Sequence, residues 1–161
     1  TKLPMIRKVK YLNSNCKLEI HGDFIDLKSA ENFEFTKNNE YKLLPLGVCI
    51  ELPKHFIAKI VPRSSTYKNY RVVQTNSVGI VDYQYKGDND QWFLPIIHFR
   101  KRIDPTRRII EGERVAQFEI CPSQFAPWWV KLKWIFSSKI KMIEVKSLGN
   151  KNRGGIGSTN K

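Results

Sequence analysis

Along most of this chain, apolar and polar residues alternate in short stretches, each closed by proline, glycine or asparagine. Phe56 to Val61 alternates in this way and Pro62 stops it; Asn32 to Phe35 alternates around Phe33 and Phe35. Period-two alternation puts one side of an extended strand on a core. Lys8 to Leu12, Val115 to Ile120, Trp92 to Phe99 and Ile140 to Val145 read as further strands. Lys42 to Leu52 reads as one longer extended stretch ended by Pro53. Val72 to Asn76 and Val78 to Val81 read as a hairpin around a tight Asn76-Ser77 turn. The single helix expected is one turn near Ser64 to Asn69, where Ser64, Ser65 and Thr66 offer capping oxygens. Turn signals recur roughly every 8–12 residues, which is the spacing of an all-β sandwich or barrel.

Composition narrows this picture. The 161 residues suffice for one domain with a real core. The pattern divides into a β domain over 1–145 and an arm over 146–161 that contains Lys146, Lys151, Arg153 and Lys161, no acid, and four glycines between Gly149 and Gly157. Such an arm cannot build a core, and is expected to move until it meets a partner. Within the domain, 123–136 stands apart, with Phe125, Trp128, Trp129, Trp134 and Phe136 around Lys131 and Lys133. It reads as an added hairpin or subunit contact. No apolar run approaches the ~20 residues of a membrane helix, and no signal peptide opens the chain, so a cytoplasmic protein without a membrane partner is expected. Cys16, Cys49 and Cys121 are odd in number and far apart, which argues against a disulfide framework. The net charge of +13 asks for an anionic partner: nucleic acid, a nucleotide, or an acidic protein.

Five stretches have side chains suited to phosphate or base chemistry, and each alone has an ordinary structural explanation. Asp26 lies in an apolar strand start, where a buried carboxylate would want an Arg. Pro62-Arg63-Ser64-Ser65 ends a strand on a cation and hydroxyls. Asn76 to Gly87 holds a base-reading amide, a strand glycine at Gly79, then Ile80, the lone carboxylate Asp82, and Tyr85. Gly112 to Gln117 leads a turn into a strand, and Arg114 and Gln117 reach one side only if the strand bulges or twists. Arg153-Gly154-Gly155-Ile156-Gly157-Ser158-Thr159 combines an Arg fork, turning backbone N–H groups and hydroxyls.

Taken together and in order, these five stretches resemble the motifs of the trimeric dUTPase family, whose members hydrolyse dUTP to dUMP and pyrophosphate. The resemblance covers roughly residues 5 to 160. It implies a distorted jelly-roll, β-clip fold with at most one or two short helical turns, assembled as a homotrimer with active sites between subunits. It implies Asp82 as the general base for water attack at the α-phosphorus. Arg63, Ser64, Ser65, Gln117, Arg153, Ser158 and Thr159 would bind phosphate, and Asn76, Gly79, Ile80 and Tyr85 would bind uracil and deoxyribose. Asp26 and Arg114 would support the site. Mg2+ is expected on the substrate phosphates and waters, without direct protein ligands. The biological role implied is to limit uracil in DNA and supply dUMP for thymidylate synthesis.

Two features depart from the family pattern. Its fifth motif usually has Phe, as a lid on uracil, where this chain has Ile156. Phe93 is the first candidate to replace it and Trp92 the second, against the simpler reading that both are core. The other departure is the segment 123–136, which is longer than the family needs. A dCTP deaminase-like enzyme of the same fold, or a basic binding or regulatory module on this scaffold, are the alternatives. The clusters Arg100-Lys101-Arg102 and Arg107-Arg108 would serve nucleic acid, which the motifs do not favour, and no protein regulator is indicated.

Overall fold

The computed structural model of the chain describes residues 5–99, 108–137 and 140–155. Its elements, in order, are β1 (Met5–Tyr11), β2 (Glu19–Ile20), β3 (Ile25–Lys28), β4 (Phe33–Glu34), β5 (Glu40–Pro45), β6 (Val48–Glu51) and β7 (Phe56–Pro62). Helix α1 (Thr66–Tyr70) follows, then β8 (Val72–Gln74), β9 (Gly79–Asp82), β10 (Phe93–His98), β11 (Arg108–Ile109), β12 (Arg114–Pro122), α2 (Trp128–Ile135) and β13 (Ile140–Glu144). The architecture is all-β, as the alternation predicts, and jelly-roll-like, as the family resemblance implies. Five strands form the sheet β2-β3-β12-β7-β9, and β13-β1-β6 and β5-β10-β8 are three-stranded sheets.

The core lies between these sheets. Strand β7 buries Phe56, Ala58 and Ile60 and turns the intervening residues outward. Trp92 is 1% exposed and meets Phe118 of β12 edge to face, with ring centroids 5.0 Å apart. Leu44, Leu46, Ile50, Leu94 and Ile96 fill the space around it and are fully buried. The three cysteines are free. Burial pushes the Cys16 and Cys49 thiols up to about 11. Among the described residues, no helix is long and apolar enough to cross a membrane.

Three expectations are corrected. The stretch Lys42 to Leu52 is two strands, because Gly47 adopts φ +68° and passes the chain from the β5 sheet to the β6 sheet. A Cβ there would lie 2.8 Å from Cys16 Sγ. Gly47→Ala is therefore expected to cost about 1–3 kcal/mol by strain and overpacking, read as a lower midpoint in thermal denaturation.

The predicted hairpin is not a ladder. β8 pairs with β10, whereas β9 pairs with β7 in another sheet. Ser77, at φ +58°, makes the turn between them. The two strands face different neighbours because both bury residues against the core, Val72 and Gln74 from one and Gly79 from the other.

Residues 123–136 contain a helix, α2, instead of a hairpin, so helix content exceeds the one or two turns expected. Pro127 sits at its start, where a missing N–H costs nothing. Val130 and Ala126 face the core side at 7% and 6% exposure, while Trp128, Trp129, Leu132, Ile135 and Phe136 face outward.

Candidate active site

The first half of the site grows from the β8–β9 turn and β9. Gln74 is buried, and its Nε2 donates to Ile60 O at 3.0 Å and to Asn76 Oδ1 at 2.9 Å. This fixes the Asn76 amide. Gly79 lies beneath it: a Cβ there would come within 3.4 Å of Asn76 Nδ2 and of Ile60 Cβ. Part of the space left by Gly79 is thus used by Asn76 itself. Asp82 closes β9. Its Oδ1 accepts from Gln84 N at 2.8 Å, which holds the carboxylate orientation.

Tyr85 follows on the turn. Its hydroxyl donates to Gln91 O at 2.5 Å, and burial pushes it up to about 12, so it stays a phenol at neutral pH. Asn76, Gly79, Ile80, Val81, Asp82 and Tyr85 line one cavity of about 480 Å3, together with Leu43, Gln91, Trp92, Phe93 and Pro95. Trp92 contributes from the core and is no candidate for a mobile lid, since it is 1% exposed. Phe93 is half-buried on the cavity wall.

The arm reaches the same cavity. Arg153, Gly154 and Gly155 line it, and Arg153 Nη1 lies 2.7 Å from Asp82 Oδ2. The pair is partly exposed, at 32% for Arg153 and 38% for Asp82. Over its described part the arm lies against the chain and is not free-standing; backbone N–H groups of Leu148, Gly149, Arg153 and Gly154 donate to Asp88 and Asp90. Ile156, Ser158 and Thr159 lie outside the described residues.

The second half centres on Asp26. This carboxylate is 5% exposed, and such a group needs a cation. Arg63 Nε meets its Oδ1 at 3.1 Å and Arg114 Nη1 meets its Oδ2 at 3.5 Å. Arg63 Nη1 donates to Ser65 Oγ at 3.4 Å. Ser64 is exposed beside it. Neither Ser64 nor Ser65 caps α1. Thr66 closes the turn, accepting from Arg63 N and donating to Val115 O, which leaves both serine hydroxyls out of the helix cap.

β12 bulges between Arg114 and Ala116, which buries Val115 and Ala116 in succession. The bulge gives Gln117 and Arg114 access to one side despite their spacing, with Gln117 paired directly opposite Asp26. Gln117 Nε2 donates to Pro62 O at 3.2 Å.

The two halves do not meet within one chain. Asp82 pairs with Ile57 at one end of β7, while Arg63 follows Pro62 at the other. Six residues of strand separate them by roughly 20 Å at ~3.3 Å per residue. Gln117 is on β12, which flanks β7 on the side opposite β9. None of Asp26, Arg63, Ser64 and Gln117 lines the Asp82 cavity.

Sequence reasoning missed Gln74, Asp88 and Asp90. The last two carried a signal: two acids within three residues of a chain with 28 cations and only 15 acids. Among the described residues, no three His, Cys, Asp or Glu side chains converge as a metal site would require.

The dUTPase family model matches residues 24–121. Over 156 residues the chain is 45% identical to the SPbeta prophage-derived deoxyuridine 5'-triphosphate nucleotidohydrolase YosS of Bacillus subtilis (strain 168), covering 94% of this chain and 96% of that protein. It is 31% identical over 135 residues to a deoxyuridine 5'-triphosphate nucleotidohydrolase of Crocosphaera subtropica, covering 84% of this chain and 82% of the relative. Among solved structures, the dUTPase from Streptococcus mutans superposes with a TM-score of 0.63 at 27% identity, covering 73% of this chain and 93% of that one. With the family model spanning more than half of the chain and a relative this similar along nearly its whole length, the chain belongs to the dUTPase family.

Proposed function

We propose that the protein hydrolyses dUTP to dUMP and pyrophosphate. The observation that carries this reading is one cavity lined jointly by Asn76, Gly79, Ile80, Asp82, Tyr85, Phe93 and Arg153. Asn76 and the backbone of β9 offer donors and acceptors to one edge of uracil, and their fixed geometry rejects the amino group of cytosine. The Tyr85 ring limits the room beside deoxyribose. Phe93 stacks on the base in place of the lid that Ile156 cannot supply. Phe93→Ala is expected to raise the KM for dUTP by about tenfold or more, with little change in thermal midpoint; an unchanged KM and kcat would remove the stacking role.

Asp82 takes a proton from water as that water attacks the α-phosphorus. The bond from the α-phosphorus to the bridging oxygen breaks and pyrophosphate leaves with its electron pair. Asp82 Oδ1 stays on the Gln84 N–H, so Oδ2 is the oxygen that accepts the proton. Arg153 holds that same Oδ2, and its guanidinium can instead grip phosphate oxygens. Exchange of Arg153 from Asp82 to the triphosphate therefore frees the base when the substrate is in place.

Magnesium brought in with the substrate would screen the charge of the triphosphate. Among the described residues, no three His, Cys, Asp or Glu side chains cluster to hold it. Arg63, Ser64, Ser65 and Gln117 act on phosphate from a neighbouring subunit, because about 20 Å of strand separates Arg63 from Asp82 in the same chain. A cyclic homotrimer gives three equivalent composite sites. Ser158 and Thr159 complete the arm's phosphate contacts. A cytoplasmic place of action belongs to the same reading.

The deaminase alternative requires an acid/base glutamate, and no Glu is among the residues that line the cavity. The nucleic-acid alternative rests on clusters outside the described residues, apart from Arg108, which pairs with Glu34 at 3.6 Å. The deciding experiment offers dUTP and dCTP separately with magnesium. Pyrophosphate from dUTP alone is expected; ammonia from dCTP, or no reaction with dUTP, overturns the assignment.

A further inference from the structure

We propose that the Gly87–Asp90 loop is a dock for the C-terminal arm, and that Asp88 and Asp90 are positioning residues that set Arg153 over the Asp82 cavity. The inference rests on the dUTP reading above and deepens it.

The dock is built from hydrogen bonds to two carboxylates. Asp90 is 2% exposed. Its Oδ2 accepts from Gly87 N at 2.9 Å and from Arg153 N at 2.8 Å, and its Oδ1 accepts from Gly154 N at 3.1 Å. One carboxylate thus ties the loop to itself and to Arg153 and Gly154, two of the three described arm residues that line the cavity. Asp88 does the same one step earlier along the arm. Its Oδ1 accepts from Leu148 N at 2.7 Å, its Oδ2 from Gly149 N at 3.1 Å, and Ser147 Oγ lies 3.0 Å from Oδ2. The Leu148 N–H, first among several donors, holds the Asp88 carboxyl below its usual range. Lys10 of β1 anchors the loop from behind, with Nζ 3.0 Å from Asp88 O.

The stretch between these anchors is fixed as well. Asn152 Oδ1 accepts from Asn89 N at 2.9 Å, and Asn150 Nδ2 donates to Lys86 O and Glu51 Oε1, each at 3.1 Å. Arm and loop touch so closely at Gly87 that a Cβ there would lie 2.5 Å from Asn152 Cα. Only glycine leaves room for that backbone. The loop's requirement for glycine is therefore set by the arm and not by the loop's own conformation.

The arm's charge could not select this place by itself. It holds only cations, and the rest of the chain is also strongly basic. Two adjacent carboxylates supply a local complement, and their oxygens are matched to consecutive backbone N–H groups, a geometry that fixes the arm's register. Register is the functional quantity. With Arg153 N bound to Asp90 and Arg153 Nη1 on Asp82, its side chain spans the cavity between two fixed points. A shift of one residue would put Asn152 or Gly154 there, and neither has a guanidinium.

The test uses the full chain and three variants: Gly87→Ala, Asp90→Asn and Asp88→Asn. Gly87→Ala and Asp90→Asn are expected to lower kcat/KM for dUTP by about 10- to 100-fold, the size of effect expected when a reacting group is misplaced by about an ångström. Both kcat and KM should move, and the thermal midpoint should stay near that of the wild type. Trypsin should cut the arm at Lys151 faster in each variant. In an Arg153→Ala background the same substitutions should cost little more, because they act through Arg153.

Wild-type rates and wild-type tryptic protection in all three variants would overturn the proposal. So would losses that multiply fully with that of Arg153→Ala. Tryptic protection reads the dock without substrate. A wild-type chain that releases no pyrophosphate would therefore sink the dUTP reading alone, with the arm assay still deciding whether Asp88 and Asp90 hold the arm.

Discussion

Asp82→Asn lowers the rate of pyrophosphate release from dUTP by about 10²–10⁴-fold, the contribution of a positioned general base. The substitution is nearly isosteric. Asn keeps an oxygen for the Gln84 N–H, so the end of β9 retains its shape. It cannot take a proton from water at neutral pH, and it releases Arg153 from its ion pair. Substrate binding should consequently survive, with KM unchanged or lower, while kcat collapses. Stability should hardly move. Both partners are about one-third exposed, and such a pair is worth about 0–1 kcal/mol. The measurement is steady-state pyrophosphate release beside a thermal melt of the same protein. If kcat stays within about twofold of wild type, or if the variant melts several degrees early, Asp82 is not the base that the cavity geometry implies.

The strands of this fold were legible because their burial is one-sided. Phe56, Ala58 and Ile60 alternate with half-buried residues of the opposite face, and period two is the signal that alternation leaves in a sequence. Partnership was not legible. Val72–Gln74 and Gly79–Asp82 are separated by a tight turn, yet each pairs with a distant strand, Phe93–His98 in one case and Phe56–Pro62 in the other. Local turn chemistry says where a chain reverses; the neighbour each strand takes is decided by the core on which it packs. Helix α2 was missed for a related reason. Its apolar residues lie on nearly all sides, and with outward-facing Trp128, Trp129 and Ile135 there is no polar stripe to mark a helical period.

The site divides in the same way. Motif order named the residues as one set; the structure divides the described ones between the Asp82 cavity, which Arg153 joins, and the surroundings of Asp26. The Asp26–Arg63 pair could be expected because a buried carboxylate in an apolar strand demands a cation. The need for a bulge or a twist between Arg114 and Gln117 also followed from parity, and the strand bulges between Arg114 and Ala116. The dock for the arm is hard to read from sequence because its contacts to Asp88 and Asp90 are mostly from backbone N–H groups. Those groups leave little trace in residue type, and Asn150 and Asn152, whose side chains also join the dock, read as ordinary loop residues. Only the acceptors, Asp88 and Asp90, are visible in the sequence, and acids near a turn ordinarily read as turn formers.

The separation of the two halves makes a quantitative prediction about mixtures. Asp82→Asn disables the half of a site that a chain builds around its own cavity. Arg63→Ala disables the half it presents to a neighbour, by removing the guanidinium that meets Asp26 at 3.1 Å. Each variant alone should be nearly inactive, since every site in its trimer lacks one group. Mixed in equal amounts and allowed to exchange subunits, the two should recover activity. A composite site is intact when its Asp82 comes from the Arg63→Ala chain and its Arg63 from the Asp82→Asn chain. Random assembly satisfies each condition half of the time, so about a quarter of the sites are restored. Should Arg63→Ala fold poorly, Ser64→Ala replaces it, because that hydroxyl is exposed and caps nothing. Activity in the mixture that stays at the sum of the two parents, despite demonstrated subunit exchange, would mean that one chain supplies both halves. The ~20 Å along β7 would then have to be closed by a rearrangement of the strand itself. Recovery near a quarter places the chemistry between chains, and it does so without any assumption about which phosphate each side chain touches.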